Sequence, residues 1–192
     1  MSKHDLRRLM KDKLLYESKS LSERSLKLSK NLKQLISELN STFIGKSTDE
    51  VTRLNLGGFI PMMGEPQWQV EFSDDDEIDF SLVHMISDII KLNYHQVSLD
   101  SIVKREHGRE LDEHYLAKSV TPEMILVPGL AFNRKGERLG RGRAYFDSFL
   151  SGFEGISIGV FHSFQEVENV FCEAHDEKLN FIVTDKEIIR GI

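Results

Sequence analysis

The sequence predicts an α/β fold: a single three-layer domain with a mostly parallel, open sheet and helices on both faces. Three apolar runs in the C-terminal half indicate this, at residues 124–130, 155–161 and 179–185. Each is short enough for a buried strand, and polar or helical segments separate them, which is typical of strands joined by crossover connections. The length of 192 residues and the hydrophobic content of 40% suit one core, so we expect a single domain over residues 1–192.

The N-terminal region predicts two amphipathic helices between residues 3 and 39. Leucines and other apolar residues recur there at spacings of three, four and seven, which is the stripe of a helix with one buried face. The break falls in "ESKSLSER", where Ser20 or Ser22 is the expected cap of the second helix and Glu23 lies in its first turn.

The next segment predicts strands and turns. "LNLGGFIPM" is typical of a buried strand that ends at Pro61, with a glycine-containing turn before Glu65. Its glycines indicate that another backbone or a ligand passes close by. The acidic run "SDDDEID" predicts a solvated turn, and "FSLVHM" and "IIKLNY" predict a hairpin around Ser87 and Asp88.

The C-terminal half contains the strongest strand signals. "MILVPGL" predicts a central strand covered on both faces, and "GISIGVF" and "LNFIVTD" predict two further strands. "YFDSFL" has helical spacing, and "FQEVENVF" predicts a short helix.

Composition excludes several classes of protein. The net charge of −6 argues against a nucleic-acid binder that works by bulk electrostatics. The single cysteine, Cys172, which we interpret as structural, allows no intramolecular disulfide and no thiolate metal cluster, and it favours a reducing cytoplasm. The first residues lack the apolar stretch of a signal peptide, and no run reaches the ~18 apolar residues of a membrane span. We therefore expect a cytoplasmic protein with no membrane partner.

The loop before "YFDSFL" predicts an anion site. In open α/β sheets ligands bind beyond the carboxyl ends of the strands, and this loop leads from a strand into a helix. Forked guanidinium donors and backbone N–H groups that flexible glycines turn outward suit phosphate oxygens, and a carboxylate nearby suits Mg²⁺. The alternative is solvated surface charge, since the spacing matches neither the P-loop nor G-x-G-x-x-G. The residues concerned are Arg138, Gly140, Arg141, Gly142, Arg143 and the carboxylate of Asp147.

Residues 125–150, "ILVPGLAFNRKGERLGRGRAYFDSFL", resemble the signature of the 5-formyltetrahydrofolate cyclo-ligase family, also called methenyltetrahydrofolate synthetase. The residues in register are Pro128, Gly129, Phe132, Gly136, Arg138, Leu139, Gly140, Gly142, Tyr145 and Asp147. "KHDLR" resembles the N-terminal motif of the family, and "FIPMMGEP" resembles its strand and turn with a substrate-binding glutamate. The closing stretch 164–185 is also similar, with Gln165, His175, Asp176 and Thr184 at the usual places, whereas residues 67–120 align weakly.

The resemblance implies an ATP- and Mg²⁺-dependent enzyme of folate and one-carbon metabolism. Such a ligase converts 5-formyltetrahydrofolate to 5,10-methenyltetrahydrofolate and releases ADP and phosphate. The formyl oxygen attacks the γ-phosphate to give an imino-phosphate, N10 attacks the formyl carbon, and phosphate leaves. The expected partners are small molecules, a reduced folate and ATP, with no nucleic acid, and the expected state is a monomer.

The resemblance also implies the roles of individual residues. Arg141, Arg143 and Tyr145 would be catalytic, Glu65 and Tyr145 would bind the folate, and Asp147 and the weaker candidate Asp176 would hold Mg²⁺. The nucleotide would be bound by Lys3, Arg7, Arg138, Leu139, Gly140, Arg141, Gly142, Arg143, Ala144, Tyr145 and Phe146.

Two departures from the family pattern lie in this set. Ala144 replaces a glycine and would be strained if its φ is positive. Phe146 replaces a tyrosine, and we expect its side chain to pack instead of donating a hydrogen bond.

Other readings stay open. A divergent member that binds ATP but has lost folate chemistry is the main alternative, and an RNA-interacting protein with salt-sensitive affinity is a third. Trp68 either packs in the core or stacks on a flat ring. The histidines do not favour a zinc site, because they lack the i, i+4 spacing of a helical metal site; those considered are His84, His95, His107, His114, His162 and His175.

Overall fold

The computed structural model describes residues 1–17, 21–44, 53–72, 77–86, 91–98, 119–173 and 176–190. The helices are α1 (Lys3–Tyr16), α2 (Leu21–Ile44) and α3 (Tyr145–Leu150). The strands are β1 (Leu54–Gly58), β2 (Ile78–Ile86), β3 (Lys91–Val97), β4 (Ser119–Val120), β5 (Met124–Val127), β6 (Ala131–Phe132), β7 (Arg138–Leu139), β8 (Ile156–Val160), β9 (Phe181–Val183) and β10 (Ile188–Arg190). No helix within these ranges is both long and apolar enough to cross a bilayer.

The main sheet has eight strands in the order β10-β9-β8-β5-β1-β2-β3-β4. The five inner strands from β9 to β2 pair in parallel, and antiparallel strands complete both edges. Strands β6 and β7 form a separate two-stranded hairpin. The prediction of a mostly parallel α/β sheet is therefore confirmed, as are the antiparallel pairing of β2 with β3 and the three C-terminal strands. The predicted turn at Ser87 and Asp88 lies outside the described residues.

The chain reverses direction across the sheet between β1 and β5. From β1 it adds β2 on one side, and it later returns to add β5, β8 and β9 on the other side. The carboxyl ends of two such neighbouring strands open a crevice, because their connections leave in opposite directions. The segments that follow β1 and β5 therefore meet at this point, which we call the switch point.

Helices cover both faces of the sheet and give the predicted three layers. On one face α2 inserts Leu28, Leu32 and Leu35 among inward-facing residues of the parallel strands, such as Leu56 and Leu126. On the other face α3 packs against a second cluster, which is made of Tyr94, Ile125, Val127, Phe132, Leu150, Phe161, Leu179, Ile182 and Ile189. Alternate residues of β5 thus enter opposite cores, as the two-residue period of a strand requires.

The glycines at the end of β1 make room for aromatic rings. A Cβ on Gly58 would lie 2.3 Å from the ring of Trp68, and one on Gly57 would lie 2.6 Å from the ring of Tyr94. The expected close approach by a backbone or ligand is therefore wrong at these two positions. Trp68 is fully buried and its Nε1–H donates to the carbonyl of Phe59 at 2.9 Å, so it packs in the core.

Several local predictions are corrected or lie outside the described ranges. Ser22 is inside α2, which begins at Leu21, so it is not the cap; Ser20 is not described, and Glu23 does lie in the first turn. Most of the acidic run, residues 73–76, is also outside the described ranges.

The helix predicted from "FQEVENVF" is wrong. Only a 3-10 turn at Ser163–Gln165 forms, because the segment pairs with β6 instead. The Val167 N–H donates to the carbonyl of Phe132 at 2.9 Å, and the Gln165 amide donates to the carbonyls of Gly129 and Leu130. Tertiary pairing therefore overrides a weak local preference.

His162 is a titratable group within this packed region. Its ring is fully buried and stacks on Phe164 at a centroid distance of 5.5 Å. Burial lowers its pKa to about 4, while Asp185 opposes the shift and Arg24 adds to it. The folded protein therefore holds His162 neutral at a pH where the unfolded chain, with a histidine pKa of roughly 6.5, takes up a proton.

We predict that this difference makes stability depend on pH in a defined window. The unfolded state binds more protons than the folded state between pH ~6.5 and ~4, so the free energy of unfolding falls as the pH falls through it, by up to about 3 kcal/mol. Urea unfolding at a series of pH values measures the slope. His162→Gln should reduce the slope, most clearly above pH ~5 where carboxylates contribute little, and His4→Gln, at an exposed position on α1, should keep it; an equal slope in both variants would show that His162 is not the cause.

Candidate functional site

Three loops and one helix converge at the switch point. The loops are residues 59–72 after β1, residues 128–144 after β5, and the described residues 161–173 and 176–180 after β8. Helix α1 packs on the hairpin of the second loop, since Leu6, Met10 and Leu14 share a cluster with Leu130 and Leu139. This packing brings the N-terminal turn of α1 to the arginine loop, which we define as residues 138–143.

The first loop presents Glu65. Its turn closes by a hydrogen bond of 2.9 Å from the Glu65 N–H to the carbonyl of Met62, and Gly64 takes a φ of +85° that favours glycine. Helix α2 holds the loop from below, because the Ser29 hydroxyl donates to the carbonyl of Trp68 and accepts from the Glu71 N–H. Glu65 is thus positioned by the hydrogen bond of its own turn and by a loop that is hydrogen-bonded to α2.

The Glu65 carboxylate pairs with Arg141 of the arginine loop. Its Oε1 accepts from Arg141 Nη2 at 2.7 Å and from Nε at 3.0 Å, and its Oε2 accepts from the Met62 N–H at 2.9 Å. The Glu65 side chain is only 4% exposed, whereas that of Arg141 is 34% exposed. The pair therefore joins the loops that follow β1 and β5 across the switch point.

A second ion pair is more deeply buried. Arg138 Nη2 lies 2.7 Å from Asp147 Oδ1, and the two side chains are 2% and 16% exposed. Arg138 Nη1 also donates to the carbonyl of Glu177 at 2.9 Å, and the Glu177 N–H lies 3.4 Å from the same Asp147 oxygen. Arg138 therefore ties the hairpin, α3 and the third loop together.

Helix α1 contributes two cations that are one turn apart. Lys3 Nζ lies 2.7 Å from Asp176 Oδ2 and 3.3 Å from Glu173 Oε1. Burial lowers the pKa of Lys3, but its hydrogen bonds and charge contacts with these two carboxylates outweigh that effect and raise it. Arg7 Nε donates to the carbonyl of Gly140 at 3.1 Å. Arg7 thus reaches the arginine loop, and Lys3 reaches the loop after β8.

The remaining residues of the predicted nucleotide set differ in exposure. Leu139 is fully buried, so only its backbone is available to a ligand, and Tyr145 is 9% exposed at the start of α3. Phe146 packs against the second core cluster, as expected for a ring without a hydroxyl. Arg143 is exposed and makes no ion pair within the described ranges. Gly142, between Arg141 and Arg143, takes a φ of +100°.

Ala144 is the strained position that the sequence predicts. It precedes α3 with φ 54° and ψ 12°, which is left-handed backbone, and its side chain caps nothing. A Cβ is disfavoured there, because it crowds the following carbonyl oxygen.

Sequence reasoning missed several contributors to the site. Glu173, which shares Lys3 with Asp176, and the two serines of α2 that hold the first loop, Ser25 and Ser29, carry no pattern in the sequence. No group of three or more His, Cys, Asp or Glu side chains within the described ranges is arranged to hold a metal ion. His175, next to Asp176, is outside those ranges.

Charge pairing is the common property of these side chains. Among the residues that the structure describes, four of five cations near the switch point contact a carboxylate or a carbonyl, and Arg143 is the exception; the five are Lys3, Arg7, Arg138, Arg141 and Arg143. Such an arrangement can bind a polyanion by exchanging internal partners for ligand oxygens, and it can offer the released carboxylates to a cation or to N–H donors.

Comparison with known proteins shows similarity to one enzyme family. A model described as the 5-formyltetrahydrofolate cyclo-ligase family matches residues 70–185. A probable 5-formyltetrahydrofolate cyclo-ligase of Schizosaccharomyces pombe is 31% identical over 83 residues, which cover 36% of this chain and 41% of that protein. A 5-formyltetrahydrofolate cyclo-ligase of Mycoplasma genitalium is 29% identical over 119 residues, which cover 59% of this chain and 62% of that protein. The alignments thus span less than two thirds of either relative.

Two solved structures share the fold over nearly the whole chain. The 5,10-methenyltetrahydrofolate synthetase of Aquifex aeolicus matches with a TM-score of 0.69 and 22% identity, covering 99% of this chain and 93% of that one. The synthetase of Mycoplasma pneumoniae matches with a TM-score of 0.67 and 19% identity, covering 96% and 99%. The α/β architecture is therefore that of these two proteins.

We predict that Ala144→Gly stabilises the protein. Relief of the left-handed strain is worth about 1–2 kcal/mol, and the greater freedom of glycine in the unfolded chain offsets about 0.4–1 kcal/mol of it. Urea unfolding should therefore show a net gain of about 0.5–1 kcal/mol. Ala131→Gly, at a buried strand position without positive φ, should instead lose stability; equal losses in both variants would contradict the strain.

Proposed function

Because the chain belongs to the 5-formyltetrahydrofolate cyclo-ligase family, we propose that it converts 5-formyltetrahydrofolate to 5,10-methenyltetrahydrofolate, with ATP as co-substrate and Mg²⁺ as cofactor. ADP and phosphate are the other products. One observation carries the proposal: a buried carboxylate, Glu65, and the arginine loop meet at the switch point. A crevice with these groups suits a ring with N–H donors and a polyphosphate side by side.

The reaction requires positioning more than covalent catalysis. The formyl oxygen attacks the γ-phosphorus of ATP, and the bond to the leaving ADP oxygen breaks, which gives an imino-phosphate. N10 then attacks the formyl carbon and loses its proton, and the C–O bond breaks as phosphate leaves. No protein nucleophile takes part, so the chain's task is to align the reactants and to stabilise charge on the transferring phosphoryl oxygens.

The phosphates are assigned to the cations other than the buried Arg138. Arg141 and Arg143 are exposed on the arginine loop, whereas Arg7 and Lys3 are partly buried, with Arg7 on the carbonyl of Gly140 and Lys3 beside Asp176 of the third loop. Gly140 has open space where a Cβ would stand, which supports close approach of its backbone to a ligand. The backbones of Leu139, Gly142, Ala144 and Phe146 complete the assigned nucleotide contacts. Arg138, with its buried guanidinium, acts by holding Asp147 in place.

The donor set at Asp147 fits Mg²⁺ in a nucleotide site. Mg²⁺ is usually held by one or two carboxylates together with substrate phosphates and waters, so the lack of a three-residue cluster in the described ranges agrees with it. Arg138 and the Glu177 N–H approach Oδ1 of Asp147, which leaves Oδ2 for the ion. Asp176, now paired with Lys3, is the second candidate ligand. Mg²⁺, when bound, neutralises charge on the phosphate oxygens.

The folate is assigned to Glu65 and Tyr145. The two Glu65 oxygens accept three N–H hydrogen bonds in the free protein, two from Arg141 and one from Met62. Adjacent N–H donors of a pteridine ring would take the place of the two from Arg141. Tyr145 follows Ala144 at the start of α3 and is assigned to the formyl group.

A second candidate is a divergent member that binds ATP without folate chemistry. The observation that favours it is Ala144, whose left-handed backbone lies next to Tyr145 where glycine would be unstrained. A shifted loop would separate the folate half of the site from the nucleotide half.

The experiment is an assay with purified protein, ATP, Mg²⁺ and 5-formyltetrahydrofolate that follows the near-ultraviolet absorbance of the methenyl product. We predict ATP-dependent product formation. Asp147→Asn keeps an oxygen for Arg138 but loses the carboxylate charge, so activity at low Mg²⁺ should fall at least about tenfold and partly recover at high Mg²⁺. Asp79→Asn, near the start of β2 and beside Arg53, should behave as the wild type.

Each outcome decides one part of the proposal. No product from a wild-type protein that still binds ATP would favour the second candidate function. Product formation with an unchanged Mg²⁺ dependence in Asp147→Asn would remove Asp147 as a metal ligand and leave the reaction intact.

A further inference from the structure

The ion pair of Arg141 and Glu65 connects the two halves of the site. We propose that this pair is an interlock through which the nucleotide and the folate each strengthen the binding of the other. The inference rests on the proposed function, because it takes Arg141 as a phosphate ligand and Glu65 as a folate ligand. In the free protein the two residues are instead ligands of each other, at 2.7 Å and 3.0 Å.

Glu65 cannot lose Arg141 without a replacement. Its side chain is 4% exposed, so water does not readily replace two charge-assisted hydrogen bonds, and a buried carboxylate without donors is costly. The Met62 N–H remains on Oε2 in either case, since it belongs to the same turn. Withdrawal of Arg141 therefore leaves Oε1 as a strong, unsatisfied acceptor.

A folate provides the matching donors. The 2-amino-4-oxo pyrimidine part of a reduced folate carries adjacent N–H groups along one edge, and such a pair can donate to a carboxylate. Both Arg141 hydrogen bonds fall on Oε1 in the free protein, so a folate N–H on that oxygen replaces Arg141 as its donor, and the second N–H can share Oε2 with the Met62 N–H. Binding of the folate in turn releases the guanidinium.

Arg141 is built to change partners. It is 34% exposed, and it lies between Gly140, with nothing within 4 Å of a Cβ, and Gly142, with a φ of +100°. Its neighbours do not share its role: Arg138 is held by Asp147, and Arg7 is held by the carbonyl of Gly140. Once released, Arg141 is the cation of the loop that turns from the folate side to the phosphate side.

The consequence is a reciprocal coupling of the two affinities. Either ligand alone must break the Arg141–Glu65 pair, but a second ligand finds the pair already broken. By linkage the factor is the same in both directions, and couplings of this kind are typically about 5- to 150-fold. If Arg141 kept its place on Glu65 throughout, the two affinities would be independent.

The test is calorimetry of a non-hydrolysable ATP analogue with Mg²⁺, with and without saturating 5-formyltetrahydrofolate. For the wild type we expect at least about fivefold tighter binding of the analogue when the folate is present. Glu65→Gln weakens the internal pair, so the analogue alone should bind it more tightly than the wild type, and the factor between the two conditions should fall to about one. Glu71→Gln, the same substitution on the same loop away from Arg141, should keep both wild-type values.

The outcomes separate this inference from the proposed function. Wild-type protein that forms product but binds the analogue equally well with and without folate would overturn the interlock alone. The same holds if Glu65→Gln leaves the affinity for the analogue unchanged. Failure of 5-formyltetrahydrofolate to bind at all would overturn both the interlock and the proposed function. If Glu65→Gln does not fold, the affinity of the wild type for the analogue with and without folate still decides whether the interlock exists.

Discussion

The candidate site depends on the hydrogen bonds that the buried Arg138 guanidinium donates. This guanidinium lies between Asp147 and the carbonyl of Glu177, so β7, α3 and the loop after β8 are positioned by one side chain. A charge with an exposure of 2% is tolerated because these two partners accept from Nη1 and Nη2. Removal of either member of the ion pair would therefore disturb the loop, the helix and the metal-ligand candidate together.

Under the proposed function, the same electrostatic logic allows an acidic chain, with a net charge of −6, to bind a polyanion. The cations are concentrated at the switch point and are neutralised locally by carboxylates of the protein. This pairing keeps the free protein from holding bare like charges side by side, and it makes ligand binding an exchange of partners. In the proposed interlock this exchange of partners couples the nucleotide site to the folate site, because a buried carboxylate that loses its arginine needs another hydrogen-bond donor.

Much of the fold could be predicted from the sequence because its signals are local. The run "MILVPGL" is apolar at successive positions, as a strand covered on both faces requires, and β5 is buried at every position. Binding of anions by the glycines and arginines of residues 138–143 stays a prediction. The helix expected from "FQEVENVF" failed, since pairing with β6 is a tertiary effect. The pairing of Glu65 with Arg141 was out of reach for the same reason: the residues are 76 positions apart, and nothing in the spacing of charges selects one partner among many.

The most direct measurement is a crystal structure of this chain with a non-hydrolysable ATP analogue and Mg²⁺. The account predicts the triphosphate between the arginine loop and the first turn of α1, with Mg²⁺ on Asp147 and the Arg141 guanidinium moved from Glu65 to a phosphate oxygen. Arg138 should stay on Asp147. A nucleotide bound elsewhere, or one bound at the loop while Arg141 keeps both of its hydrogen bonds to Glu65, would contradict it.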